Sequence, residues 1–169
     1  MRNIELKARL RDRAHALQVC TSIGATPEGD IHQIDTYFRV PSGRLKLREA
    51  TPGRCELVYY QRPDVAGPKG CDYTLEPAQP SIKALLREAL EQQAVVDKVR
   101  TLYLWQNVRI HLDQVRDLGE FIEFEAVLDD DTGDADGFAK LEMLMAAFGL
   151  QEADHETGSY LELVSGARA

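Results

Sequence analysis

The sequence predicts an α+β domain: an antiparallel sheet, open or closed into a barrel, with helices packed outside it. Three observations predict this. Stretches that alternate strictly between apolar and polar residues, the strand period, recur through most of the 169 residues. Short turn signals separate many of them, which is hairpin order. Amphipathic or capped stretches of helical length fall between and after them.

Asn3 to Leu10 is the first strand, with Ile4, Leu6, Ala8 and Leu10 on one face and Asn3, Glu5, Lys7 and Arg9 on the other. Asp12 is placed to cap a helix running to about Ile23 and stopped by Gly24. A second strand covers roughly Ile31 to Val40, and Pro41-Ser42-Gly43 is a turn. Arg44 to Glu49 alternates again, and Thr51-Pro52-Gly53 leads into a strand from Arg54 to Arg62. The breaker-rich stretch Pro63 to Gly70 reads as a flexible loop, followed by a short strand near Asp72 to Glu76. Ser81 to Gln92 carries Ile82, Leu85, Leu86 and Leu90 at helical spacing after Pro80. Four strand-like stretches follow: Val95–Thr101, Leu102–Gln106, Val108–Gln114 and Glu120–Leu128. Ala135 to Phe148 is a helix ended by Gly149, and Ser159 to Val164 adds a short final element. The total is about eight strands and three helices.

Length and composition fit one domain, 1–169, with a substantial core. No apolar run approaches the ~20 residues that span a bilayer. The opening Met1-Arg2-Asn3-Ile4-Glu5 lacks the apolar core of a signal peptide, so the expectation is a soluble, cytoplasmic protein away from membranes. A net charge of −8 argues against general nucleic-acid binding, so basic groups must act locally. Cys20, Cys55 and Cys71 are odd in number and lack a CxxC pair, which speaks against a disulfide framework or a zinc site.

The polar faces carry the functional argument. The first strand presents Glu5, Lys7 and Arg9; others present Arg44, Lys46 and Arg48, then Lys98 and Arg100, then Arg109, His111 and Asp113, and last Glu123 and Glu125. A half-exposed sheet with a solvated polar face would explain any one of these sets. Basic pairs recurring on separate strands of an acidic chain suggest more. If the sheet closes, such charges line an interior, where they need pairing or a ligand. A polyanion neutralises clustered Arg and Lys, and the guanidinium fork suits phosphate oxygens. Glu5, Glu123 and Glu125 would repel phosphate, but suit oxygen coordination of Mg²⁺ or Mn²⁺; salt bridges to neighbouring Arg and Lys are the alternative. His111 fits either proton transfer and phosphate binding or a structural role beside an acid.

These residues resemble the CYTH superfamily, the triphosphate tunnel enzymes, which include class IV adenylyl cyclases, thiamine triphosphatases and inorganic triphosphatases. Asn3-Ile4-Glu5-Leu6-Lys7 is similar to the family's N-terminal ExExK strand, and Asp35-Thr36-Tyr37-Phe38 to its D-x-Y-(F/Y) strand. Leu45-Lys46-Leu47-Arg48, Lys98-Val99-Arg100, the pair Arg109–Asp113 and Leu118–Glu125 ending in E-x-E, and Ser159-Tyr160 follow in family order. The resemblance implies a closed eight-stranded antiparallel barrel with helices outside, whose tunnel holds a triphosphate. It implies phosphate contacts from Lys7, Lys46, Arg48, Lys98, Arg100 and Arg109, with Arg9 on the same face, and metal ligation by Glu5, Glu123 and Glu125, with Asp113 as a weaker candidate. Lys98 and Tyr37 are candidates for activating water, as a Lys–Tyr pair is thought to do in some hydrolytic relatives. The implied partner is a small triphosphate compound; the implied activity is either a cyclase (a lyase) or a triphosphatase (a hydrolase), in a monomer or homodimer.

Two departures stand out. Asn3 replaces the first Glu of ExExK, bringing a carbonyl oxygen but no charge. Where the family often has a Lys before the Pro closing the fourth strand, this chain has Tyr60-Gln61-Arg62-Pro63. Gln61 and Arg62 face opposite ways, so Arg62 is not a simple replacement for an inward Lys at position 61. The acidic run Asp129 to Asp136 lacks the full calcium-loop pattern and reads as a solvated turn before a helix. Tyr103 and Trp105 read as packing on the strand exterior under helices.

Overall fold

The structure, a computed structural model, describes residues 1–129 and 132–167. The described residues form eight strands: β1 (Arg2–Arg9), β2 (Thr26–Phe38), β3 (Arg44–Ala50), β4 (Arg54–Gln61), β5 (Lys69–Pro77), β6 (Gln92–Trp105), β7 (Val108–Val115) and β8 (Gly119–Leu128). Around them lie α1 (Arg13–Ser22), α2 (Ile82–Ala89), α3 (Asp134–Phe148) and α4 (Tyr160–Ala167), with a 3₁₀ turn at Glu152–Asp154. Every pairing is antiparallel and the ring closes in the order β1-β5-β4-β3-β2-β6-β7-β8. The expected barrel is therefore present.

Closure makes both faces of β1 interior. Ile4, Leu6 and Ala8 point outward into an apolar cluster with Ala16, Val19 and Cys20 of α1 and Leu141, Leu144 and Phe148 of α3. Tyr103 and Trp105 pack at the edge of that cluster, on the barrel exterior. A smaller outer cluster sets Phe38, Leu47 and Cys55 against Ile82 and Leu86 of α2. At one end of the barrel Tyr160, Leu161 and Val164 of α4 pack with Ala94, Val96, Val115 and Phe121 to form an apolar layer. Asp12 caps α1 by accepting from the His15 backbone N–H at 2.9 Å, and Gly24 takes the positive φ of 73° that ends it.

Several boundaries differ from the sequence expectation. Val95–Thr101 and Leu102–Gln106 are one strand, β6, which runs along the whole of the lengthened β2. β2 begins at Thr26 despite Pro27 and Gly29, because a register irregularity between those two residues absorbs them. α2 stops at Ala89 since the chain turns into β6 at Gln92. The final element is a fourth helix, one more than the three expected. Asp134 and Asp136 of the acidic run lie in the first turn of α3, whereas Asp130 and Asp131 lie outside the described residues. All three cysteines are free and buried.

Candidate active site

The inward faces enclose a cavity of about 120 Å³ whose walls include Glu5, Lys7, Lys46, Arg48, Arg62, Lys98, Arg100, Arg109, Glu123 and Glu125. Period-two alternation brings them together: each strand contributes every second residue, and closure aims all of these at one axis. Two buried aspartates organise the basic groups. Asp35 is fully buried and accepts from Lys46 Nζ at 2.9 Å and from Arg48 Nε and Nη2 at 2.8 and 2.9 Å. Burial would raise its carboxyl, but Arg48 and Lys46 outweigh that and hold it well below the usual carboxylate range. Asp113, also fully buried, accepts from Arg100 Nε at 2.7 Å and Nη2 at 2.6 Å and from the Tyr160 hydroxyl at 2.7 Å, with Lys98 Nζ at 3.4 Å. Burial opposes its ionisation and Arg100 and Lys98 overcome it, so its pKa too lies below the normal range.

The opposite charge forms a second flank. Glu123 pairs with Arg100 at 2.7 Å and Lys7 at 3.6 Å, and Glu125 with Arg109 at 3.4 Å. Burial and the nearby Glu123 raise the Glu5 carboxyl, the effect of crowded acids in a poorly solvated place. Burial, reinforced by Arg100, pulls Lys98 down to about 7, and burial with Arg62 pulls Lys69 down to about 8.

The proposed site residues are not all equivalent in place. Arg9 does not line the cavity: it pairs with Glu156 at 2.5 Å, lies over the Phe121 ring and is half-exposed. Asp113 has both oxygens engaged by basic groups and Tyr160, which makes it a counter-ion rather than a donor free for a metal. Lys98 has its ammonium over the Tyr160 ring and beside Asp113, whereas the lysine near the Tyr37 hydroxyl is Lys46, at 3.5 Å. Burial raises the Tyr37 hydroxyl well above its ordinary pKa. His111 is buried beside Glu123 and Glu125.

Two basic residues join the cavity region that sequence reasoning did not place there. Arg62 lines the wall, its side chain 1% exposed and 3.2 Å from Glu5 as an ion pair. Its two terminal nitrogens nevertheless have no aligned hydrogen-bond acceptor. Val58 and Tyr60 also line the wall, so the inward set of β4 is the even-numbered one, and alternation carried past Tyr60 points to Arg62. Lys69 is buried at the start of β5, opposite Glu5 in the register, and donates to the Val65 carbonyl at 2.8 Å. Pro68 and Gly70 hid it within an apparent loop; the period Lys69, Cys71, Tyr73 was its only signal.

A divalent cation fits the donor chemistry of this flank. Glu5, Glu123 and Glu125 are carboxylates on the cavity wall, and the buried Asn3 Oδ1 beside them has no hydrogen-bond partner.

The CYTH domain model matches residues 1–160. Comparison with curated proteins gives no match. Among solved structures, the PH1012 protein of Pyrococcus horikoshii superposes with a TM-score of 0.82 at 25% identity, covering 95% of this chain and 98% of that one. A candidate adenylate cyclase from Vibrio parahaemolyticus gives a TM-score of 0.79 at 26% identity, over 96% and 97% of the two chains. A Hippeastrum candidate adenylyl cyclase with dominant triphosphatase activity gives 0.69 at 15% identity over 97% and 96%, a likeness of fold. A match over 160 of 169 residues, on a closed eight-stranded barrel with a charged interior, means that this chain belongs to the CYTH family.

Proposed function

We propose that this chain is a divalent-metal-dependent enzyme that takes a triphosphate compound into the barrel and cleaves one of its phosphoanhydride bonds. The observation that carries this reading is Arg62. Its guanidinium is buried in the cavity wall with Glu5 as an ion-pair partner at 3.2 Å, yet neither terminal nitrogen makes an aligned hydrogen bond, an arrangement that anionic oxygens entering the cavity would complete. Lys7, Lys46, Arg48, Lys98, Arg100 and Arg109 surround the same space, enough positive charge for several phosphate oxygens.

Each part of the wall has a chemical task in this reading. Asp35 and Asp113 hold Lys46, Arg48, Lys98 and Arg100 in fixed directions, so little reorganisation accompanies charge development on the phosphates. Glu5, Glu123 and Glu125 would hold Mg²⁺ or Mn²⁺, which supplies Lewis-acid stabilisation when bound. Lys46, 3.5 Å from the Tyr37 hydroxyl, is placed to take a proton from the attacking hydroxyl or water, whereas Lys98, with its pKa lowered in the ligand-free site, takes up a proton as the phosphates bind and meets them as a cation. Attack by the substrate's own 3′-hydroxyl on the α-phosphate gives a cyclic nucleotide and pyrophosphate; attack by water on the terminal phosphate gives phosphate.

The test is a product assay with Mg²⁺ and Mn²⁺, in which ATP, thiamine triphosphate and inorganic triphosphate are supplied separately. Cyclic AMP with matching pyrophosphate establishes a cyclase. Phosphate without cyclic nucleotide establishes a triphosphatase and ranks its substrates. Turnover of none of them would sink the enzymatic reading.

Asn3 favours a second reading, a module that binds triphosphate or polyphosphate without turning it over. Its amide sits where the resemblance calls for a carboxylate, in the cavity wall and without charge. On that reading Asn3→Glu creates metal-dependent turnover in a chain that has none. An inactive Asn3→Glu protein that still binds triphosphate would count against Asn3 as the cause.

A further inference from the structure

The carboxylate flank contains a nitrogen donor. His111 is 3% exposed, and its Nδ1 stands 3.7 Å from Glu123 Oε2 and 3.8 Å from Glu125 Oε1. That nitrogen is buried and has no hydrogen-bond partner. The ladder explains the placement. His111 pairs with Glu123 and Arg109 with Glu125 across β7 and β8, so the imidazole lies between two carboxylates that are two residues apart.

A buried polar atom usually turns until it finds a partner. Here Nδ1 stands almost equally far from two acceptors and bonds to neither. Donors bound to one ion at about 2.1 Å each can lie at most about 4.2 Å apart, and both separations fall inside that limit. One donor atom from each of the three residues falls within 4.8 Å of the others, a span that small side-chain rotations close. Arg100 holds Glu123 Oε2 at 2.7 Å, which fixes that carboxylate while leaving its oxygen a second lone pair.

We propose that His111 is a direct ligand of the divalent ion held by Glu123 and Glu125, making a mixed nitrogen–oxygen site selective for Mn²⁺ or Co²⁺ over Mg²⁺. Imidazole suits transition ions, whereas Mg²⁺ takes oxygen donors and keeps much of its water. This rests on the reading above that Glu123 and Glu125 hold a metal.

The experiment is pulsed electron paramagnetic resonance of Mn²⁺ bound to the intact chain, prepared with natural-abundance and with ¹⁵N-labelled histidine. A directly coordinated nitrogen gives a hyperfine signal that changes with the label. His111→Gln should abolish that signal and weaken Mn²⁺ binding about tenfold or more, while Mg²⁺ binding changes little. The wild-type spectrum answers the question even if the variant misfolds. Bound Mn²⁺ without a histidine nitrogen signal overturns this assignment and leaves the glutamate site standing. No bound Mn²⁺, or binding untouched by Glu123→Gln and Glu125→Gln, overturns both.

Discussion

Asp113 and Arg100 form a two-point contact in the barrel interior, with Nε and Nη2 donating to Oδ1 and Oδ2 at 2.7 and 2.6 Å. Lys98 and Tyr160 share the same carboxylate, so one side chain fixes three others. Removing one member of a buried ion pair leaves the other charge uncompensated. Asp113→Asn should therefore destabilise the ligand-free protein by about 3 to 5 kcal/mol, read by urea unfolding at neutral pH. Inorganic triphosphate should recover part of the loss. The Asp113 pKa is depressed on folding, so its contribution is complete above the ordinary carboxylate pKa of about 4 and disappears as pH falls towards the depressed value. The variant's stability should accordingly approach that of the parent in acid.

Lys98 should make triphosphate binding take up a proton. Burial and Arg100 hold its pKa near 7, so at pH 8 the ligand-free protein keeps it mostly neutral. Phosphate oxygens favour the ammonium form and raise that pKa. Calorimetry with inorganic triphosphate, in buffers of different ionisation enthalpy, should show uptake at pH 8. The uptake should fade towards pH 5.5, where Lys98 is already charged. Lys98→Met should remove up to one proton from the pH 8 value, leaving the contribution of Lys69, whose pKa is about 8.

Arg62→Met should weaken inorganic triphosphate binding by about tenfold or more, the scale of a lost hydrogen bond to a charged group. Its terminal nitrogens make no aligned hydrogen bond, and its ion-pair partner Glu5 is already pushed towards the neutral form by burial, so the ligand-free chain should lose less stability than in Asp113→Asn. Equal loss of stability in the two variants would contradict a binding role for Arg62.

Gly137 tests how closely α3 meets the barrel. A Cβ there would come within 2.7 Å of Ile4 Cγ1 and 3.2 Å of Leu128 Cδ2. Alanine gains about 1 kcal/mol in helix propensity over glycine, but forced overpacking costs about 1 to 3 kcal/mol. Gly137→Ala should be neutral or destabilising by up to about 2 kcal/mol in thermal unfolding, where a solvated helix glycine would gain.

Much of this fold was legible because closure leaves a regular period. Asn3, Glu5 and Lys7 alternate with Ile4, Leu6 and Ala8, and both faces are buried, one by charge and one by helices. The continuity of β6 was not legible. Its register with β2 is set by a partner remote in sequence, and the run Leu102–Trp105 carries no signal for joining the strand before it. Arg62 was read from the family pattern at position 61 instead of from Val58 and Tyr60, which share its face. The role of Asp113 was out of reach for a different reason. A carboxylate one strand away from two basic residues looks the same in sequence whether it faces a metal or neutralises them. Only the distances to Arg100 and Tyr160 separate the two.

Closure of the ring also bears on how this protein meets other chains. Each of the eight strands already has a hydrogen-bonded neighbour on either side, including β1 and β8, which complete the circle through each other. Closure removes the two outer edges that an open sheet would offer for strand addition, and what unpaired ladder remains among the described residues lies at staggered strand ends, among them residues 26–31 of β2 beyond β3 and 92–96 of β6 beyond β7. Any association by strand addition is therefore limited to those short ends, and a larger interface between intact barrels has to be a self-complementary surface of side chains on helices and loops.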